Sequence, residues 1–350
     1  VFSSVTDKGL VVLTSITITD VAALAGVSIK TVSRVLNSEP NVRDGTRERV
    51  LSAVNKLNYK PNLAARALAG SRSYLIGLYY DNPSPGYIAD LQRGAMSACR
   101  KAGYHLLVEQ IDGEKERWRP RVESLLDQVK VDGVILAQPV CDRGAVLDVL
   151  EERNAPFVRI APAGDWDRGP YVYMNDRQAA YDMTDHLLSL GHRRIGFIRG
   201  HPEHSATQQR YLGFAQAMAA ADQSPDPALV QWGSFTFRSG VGAAERLLNR
   251  PVKPTAIFAS NDDMALGVMA VANRMQLNVP RDLSVAGFDD SPIAQVVWPQ
   301  LTSIRIPVAE MAEAAANILI HKRLQQQAPA ARLLDFELML RGSVGPASLA

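Results

Sequence analysis

Apolar positions recur at helical spacing in three short bursts between residues 19 and 58. Thr19 stands at an N-cap position before Asp20 to Ala25, and Gly26 permits a sharp turn. Ser28 can cap a second helix, Ile29 to Leu36, with Val32, Val35 and Leu36 on its inner face. A third helix, about Thr46 to Asn58, turns Val50, Leu51, Val54 and Leu57 inward. Two short helices joined by a glycine turn form a helix-turn-helix, which the third helix completes as a core. Asn62 then caps a fourth stretch, Leu63 to Ala69, closed by Gly70 and too short to be stable alone.

From Tyr74 onward the pattern changes to short apolar runs alternating with amphipathic stretches. Strands are predicted at 75–80, 104–108, 133–137, 157–160, 195–199, 256–260 and 283–288, with a terminal strand at 336–340. Helices are predicted at 87–102, 117–130, 142–153, 176–190, 206–221, 238–250, 262–276 and 308–326. Alternation of this kind builds parallel sheets covered by helices, and its length suggests two lobes. The fold class is therefore an N-terminal all-α helix-turn-helix domain followed by an α/β two-lobed body. Ligands of such sheets bind at the carboxyl ends of the strands.

Charge sharpens this division. Residues 16–72 carry nine Lys or Arg against four acids, whereas the whole chain of 350 residues has a net charge of only +2. A basic head on an acidic body points to a nucleic-acid-binding module joined to a separate domain. With only Cys99 and Cys141, the chain is no disulfide scaffold, and neither thiol has partners at metal-ligand spacing. Threonines and Asp20 break the apolar stretch after Lys8, so it makes a poor export signal, and no apolar run spans a membrane. These features point to the cytoplasm. Residues 1–15 are read as a disordered arm.

Ile29, Lys30, Ser33 and Arg34 face outward near the start of the second helix, and they are residue types that contact bases and phosphates in a major groove. In the body, the sequences of nucleotide loops, zinc proteases and serine hydrolases are all missing. The strand ends carry Asp81, Asn82, Gln138, His201, His204, Ser205, Asn261, Asp262 and Asp289, and Asp142 adds a further hydroxyl partner. With Tyr87, Phe235 or Trp232 as an aromatic wall, this lining suits a polyol.

The strings Thr19-Asp20-Val21-Ala22, Ala25-Gly26-Val27-Ser28, Thr31-Val32-Ser33-Arg34-Val35-Leu36-Asn37, Tyr59-Lys60-Pro61-Asn62 and Ala65-Arg66-Ala67-Leu68 resemble the lactose-repressor (LacI/GalR) family of bacterial transcription regulators. The resemblance covers residues 16–345. It implies a homodimer or tetramer on near-palindromic operator DNA, with DNA contacts from Thr19, Ser28, Ile29, Lys30, Thr31, Ser33, Arg34, Asn37, Tyr59, Asn62, Arg66 and Leu68. Paired hinge helices would enter the minor groove with Leu68 as a wedge. One departure is Arg43-Asp44-Gly45, where the family has a Ser cap and an acidic first turn, so the third helix is expected to start late or fray.

The resemblance also implies a body like that of periplasmic sugar-binding proteins. Its domains would be 16–61 for DNA, 62–72 as hinge and linker, and 73–350 for effector binding and dimerisation. Lobe one would take about 73–174 and 307–334, and lobe two about 175–306 and 335–350, with crossings near Asn175, Pro307 and Leu334. Effector contacts would come from Arg210, Asn261 and Asp289, with Tyr87 and Phe235 at wall positions, and Asp81, Gln138, Asp142 and His204 complete the expected lining. Purine-binding members place an Arg at the position of His204. Ile88, Leu91, Met96, Met264, Leu266 and Met269 are candidates for the dimer surface. The function implied is a repressor controlled by a small molecule, best matched by a sugar, with no cofactor and no catalysis. The competing readings are a nucleobase-responsive regulator, a sugar-binding transport protein, and a sugar-active enzyme using Asp289 and Asp290.

Overall fold

The computed structural model describes residues 16–36, 42–59, 72–111, 118–323 and 329–348. The chain divides into two compact units, residues 1–73 and 74–350.

In the first unit, helices α1 (Ile18–Ala25), α2 (Ile29–Leu36) and α3 (Asp44–Lys56) enclose Val21, Ala25, Val32, Val35, Val50, Ala53 and Tyr59. The first cap differs from expectation. Thr17, not Thr19, precedes α1, and the Asp20 carboxylate accepts from its N–H and its hydroxyl at 2.7 and 2.8 Å. These bonds hold the Asp20 carboxyl below the usual carboxylate range. Gly26 ends α1 at φ 64°, and the Ser28 hydroxyl accepts from the Thr31 N–H at 3.2 Å to start α2. Helix α3 begins at Asp44, earlier than the Arg43-Asp44-Gly45 departure suggested. Leu51 is 45% exposed, and Ala53 fills the inward position instead.

The body holds two parallel sheets. The first contains β1 (Leu75–Tyr80), β2 (His105–Gln110), β3 (Gly133–Leu136), β4 (Phe157–Ile160), β5 (Tyr171–Tyr173) and β11 (Ala331–Leu333), in the order β11-β5-β4-β3-β1-β2. The second contains β6 (Ile195–Arg199), β7 (Val230–Trp232), β8 (Ala256–Ala259) and β9 (Ser284–Ala286), in the order β7-β6-β8-β9. An antiparallel pair, β10 (Ser303–Arg305) with β12 (Glu337–Met339), extends the second sheet through bridges from Ala286 to Thr302 and Asp289 to Arg305. The chain thus passes between the sheets after β5, after β10 and again after β11.

Helices α4 (Pro85–Lys101) and α12 (Val308–Arg323) pack on the first sheet, and Gly94 lets them meet, since a Cβ there would lie 1.8 Å from the Ala309 carbonyl oxygen. The other face of that sheet is covered by α5 (Trp118–Ser124), which continues as a π turn to Val129, and α6 (Gly144–Glu152). Helices α7 (Asp176–Ser189) and α8 (Ser205–Ala220) cover one face of the second sheet, and α9 (Phe237–Leu248) and α10 (Asp262–Arg274) the other. The near-continuous apolar runs of the inner strands follow from this cover on both faces. A short helix, α11 (Pro292–Val296), lies between β9 and β10.

Candidate functional site

Nearly every segment leaving the carboxyl end of a strand contributes to one cavity. Asn82 and Ser84 follow β1, Gln138 follows β3, Ala161 follows β4, and Met174 and Asp176 follow β5. Across from them, His204 follows β6, Phe235 follows β7, Asn261 follows β8 and Asp289 follows β9. Tyr87 of α4 and Arg210 of α8 complete the polar lining. Parallel topology alone brings these residues together, because all strand ends point the same way.

Arg210 is the hub. Its Nε donates to Asp176 Oδ1 at 2.8 Å, its Nη1 donates to the Ser260 carbonyl and lies 3.9 Å from Asp289 Oδ1, and its guanidinium sits 3.7 Å from the Phe288 ring centroid. Only 6% of Arg210 is exposed, so these bonds compensate a buried charge. Burial raises the Asp289 carboxyl well above its ordinary range, and Arg210 opposes that rise. Asp289 has φ 116° and Asp290 φ 53°, a reversal that turns Asp289 toward the cavity and Asp290 away from it. The Asp290 side chain is 1% exposed and is paired with Arg305 at 2.9 Å and Arg341 at 2.5 Å. Two adjacent carboxylates so separated do not form an acid and base pair.

Asp262, named among the strand-end residues, lines no part of this cavity. Its carboxylate accepts from Ser303 Oγ at 2.6 Å and from the Ser291 N–H and Oγ at 2.7 and 2.9 Å, so it shapes the Asp289 loop. Its burial, opposed by these bonds, lifts its carboxyl to about 7.

The Phe235 ring lies against Gly200, where a Cβ would stand 1.9 Å from it, and 5.2 Å from the His204 ring centroid. Asn261 fixes this wall: its Nδ2 donates to the Phe235 carbonyl at 3.1 Å, and its Oδ1 caps α10 by accepting from the Met264 N–H at 3.0 Å. His204, 5% exposed, is lowered to about 4, chiefly by burial and then by His201, and so presents a neutral imidazole near pH 7.

Seven of the expected effector residues therefore meet around one cavity: Tyr87, Gln138, His204, Arg210, Phe235, Asn261 and Asp289. Asp81 and Asp142 do not line it. Asp81 pairs with Arg143 Nη2 at 2.5 Å. Asp142 Oδ1 accepts from Arg159 Nη2 at 3.1 Å and from the Ala163 N–H at 2.8 Å. Both aspartates answer an arginine distant in sequence, which residue type alone does not reveal. Trp232 is also elsewhere, stacked 4.2 Å from the Arg199 guanidinium. Residues that reading by type passed over are Ser84, Asp176, Met174, Ile306 and Met311, all at the same strand ends or on α12.

On the helical unit, Ile29, Lys30 and Arg34 are exposed along one side of α2, and Ser33 is half-buried there. Ser28 and Thr31 bond to one another at 2.9 Å, and Thr19 lies exposed in the first turn of α1. Tyr59 is a core residue, 9% exposed, rather than part of that surface. Asn37, Asn62, Arg66 and Leu68, and with them the hinge, fall outside the described residues.

Of the residues expected on a dimer surface, Leu91 and Met264 are fully buried in the core. Leu266 and Met269, from the same expected set, border a groove together with Phe237, Ile293, Val296 and Trp298, and Trp298 is 89% exposed. Among the described residues no helix is long and apolar enough to cross a membrane, and no cluster of His, Cys, Asp and Glu could hold a metal ion.

Residues 17–62 match the family model described as bacterial regulatory proteins, lacI family, and residues 184–344 match a periplasmic binding protein-like domain. The chain is 33% identical over 306 residues to catabolite control protein A of Priestia megaterium, covering 87% of this chain and 92% of that protein. The solved complex of the transcriptional regulator CelR with cellobiose superposes with a TM-score of 0.72 at 31% identity, covering 94% and 99% of the two chains. The lac repressor dimer bound to operator and the anti-inducer ONPF superposes with a TM-score of 0.78 at 28% identity, covering 95% and 99%.

Proposed function

The chain belongs to the lacI family of bacterial regulatory proteins, and from that premise we propose that this DNA-binding transcriptional repressor takes a sugar in the cavity of its body as the effector that sets its affinity for operator DNA. The observation that carries this reading is the balance of the lining. Arg210 is committed to Asp176 and to the Ser260 carbonyl, and it faces two carboxyls, Asp176 and Asp289. With His204 neutral, the cavity offers no excess positive charge to a phosphate or carboxylate ligand. It offers instead acceptors and amides between two aromatic walls, Tyr87 and Phe235, which suits a neutral ring bearing hydroxyls. A structural relative is solved with cellobiose, a ligand of that class.

The operator would be read by Ile29, Lys30, Ser33 and Arg34, with residues 62–72 linking that unit to the body. Binding of ligand across the cleft would favour one arrangement of the two sheets and so transmit a coupling typically of about 1–3 kcal/mol. The relative bound to operator is a dimer, and the apolar face around Trp298 is the surface we assign to a second copy of this chain. Thermal unfolding of the full chain with neutral sugars, purines and phosphorylated sugars tests the ligand class. A raised midpoint with a neutral sugar alone supports it, and a rise with purines or phosphosugars alone refutes it.

A further inference from the structure

A second cavity opens from the first and shares Gln138, Ala161, Met174, Asp176 and Ala206 with it. Its outer wall is Trp166, which is 49% exposed and lies on the loop 161–170 between β4 and β5. The indole leans on Tyr171 at 4.9 Å and Tyr173 at 6.1 Å between ring centroids, leaving much of its surface open.

The loop that carries Trp166 is pinned from within. Arg159 is 1% exposed, and its guanidinium donates to the carbonyls of Asp165 at 2.7 Å, Gly164 at 3.0 Å and Cys141 at 2.8 Å. Asp142 ties the same guanidinium to the Ala163 N–H, and Gln138 Nε2 donates to the Ala161 carbonyl. At the far end, Arg168 is held by Asp148 and Glu151 of α6, with nitrogen-to-oxygen distances of 2.7 to 3.0 Å. A buried arginine with this many backbone acceptors fixes the position of the loop, while the indole at its tip adds little burial of its own.

We propose that Trp166 is the stacking platform for a second sugar ring, so that the effector is a disaccharide with one ring in the inner cavity and the other against the indole. The proposal rests on the sugar reading of the inner cavity and extends it. Asn175, Arg177 and Gln209 border the outer cavity and supply hydrogen-bonding partners for the hydroxyls of that second ring. A loop fixed before the ligand arrives costs little to order on binding, which is what a specificity-setting platform requires.

Calorimetry of the full chain with aldohexoses and with their α- and β-1,4-linked disaccharides tests this. At least one disaccharide should bind more tightly than its component monosaccharide. Trp166→Ala should weaken that disaccharide about two- to tenfold and leave the monosaccharide unchanged, and Trp166→Tyr should restore most of the difference. Equal weakening of both sugars, or of neither, overturns the platform. So does a wild-type protein that gains affinity from an aryl aglycone but from no second sugar. If no saccharide of either length binds, the sugar reading fails as well, whereas a monosaccharide bound normally and lost in Asp289→Asn preserves it.

Discussion

Ser84 Oγ donates to Asp263 Oδ2 at 3.0 Å, joining the segment after β1 of the first sheet to the first turn of α10 on the second. The cavity lies between the two sheets, so this bond is available only while the strand ends stand close. Asp263 does not line the cavity, although Ser84 does.

Asp263→Ala should therefore weaken effector binding without touching the ligand. Loss of a hydrogen bond to a charged group is worth about 1.5–3 kcal/mol where it is buried and less where it is half-exposed, so a fall of roughly tenfold is expected. Calorimetry gives the value directly. Undiminished affinity would mean that the Ser84 contact does not hold the cleft.

On the helical unit, Arg34→Ala should cost about 1–3 kcal/mol of operator affinity if the guanidinium makes a bidentate base contact. Lys30→Ala should lower the slope of affinity against salt by about one if Lys30 neutralises a phosphate. Operator titrations at several salt concentrations separate the two roles. Neither substitution removes a core side chain, since both residues are exposed on α2.

Much of this architecture is legible in the sequence, for a physical reason. Strands such as Leu75–Tyr80, Gly133–Leu136 and Ala256–Ala259 are buried on both faces and read as unbroken apolar runs. Strands of three residues, Tyr171–Tyr173, Val230–Trp232, Ser303–Arg305 and Ala331–Leu333, carry no period long enough to see. The strand ends that surround the cavity follow from parallel topology, so polar residues there could be nominated by position. What could not be nominated was the partner of each. Asp142 is polar and near a strand end, yet Arg159, inside an apolar run, claims it for the loop beneath Trp166. Leu51 neighbours the inward stripe and is exposed all the same, because the buried face of α3 runs through Val50, Ala53, Val54 and Leu57.

The imidazole of His204 gives a pH dependence with a definite sign. Burial lowers it from 6.5 to about 4, so the unfolded chain binds the proton first as pH falls. Its contribution to stability is complete above pH 6.5, declines between 6.5 and 4, and reaches on the order of 3 kcal/mol. His192 and His186 are lowered by burial too and act in the same sense, whereas Asp262, raised to about 7, acts in the opposite sense. His204→Gln should flatten the loss of the melting midpoint between pH 6.5 and 4, and an unchanged profile would remove His204 from this role.

The exposed indole of Trp298 gives a separate expectation about assembly. Trp298→Glu should place a charge on the apolar face shared with Val296 and Ile293, and shift sedimentation from dimer toward monomer. An unchanged dimer would put the self-association surface elsewhere.

Control of operator binding by a sugar held at Asp289 is tested most directly by operator affinity measured with and without saturating sugar, in the wild-type chain and in Asp289→Asn. Asparagine is chosen because residue 289 has φ 116°, a conformation that Ala adopts only with strain. Saturating sugar should change the wild-type operator Kd by about 5- to 150-fold, and Asp289→Asn should keep the ligand-free Kd but lose the response. A mutant that responds to the same sugar as fully as the wild type, or a wild-type operator Kd that no sugar moves, would contradict that control.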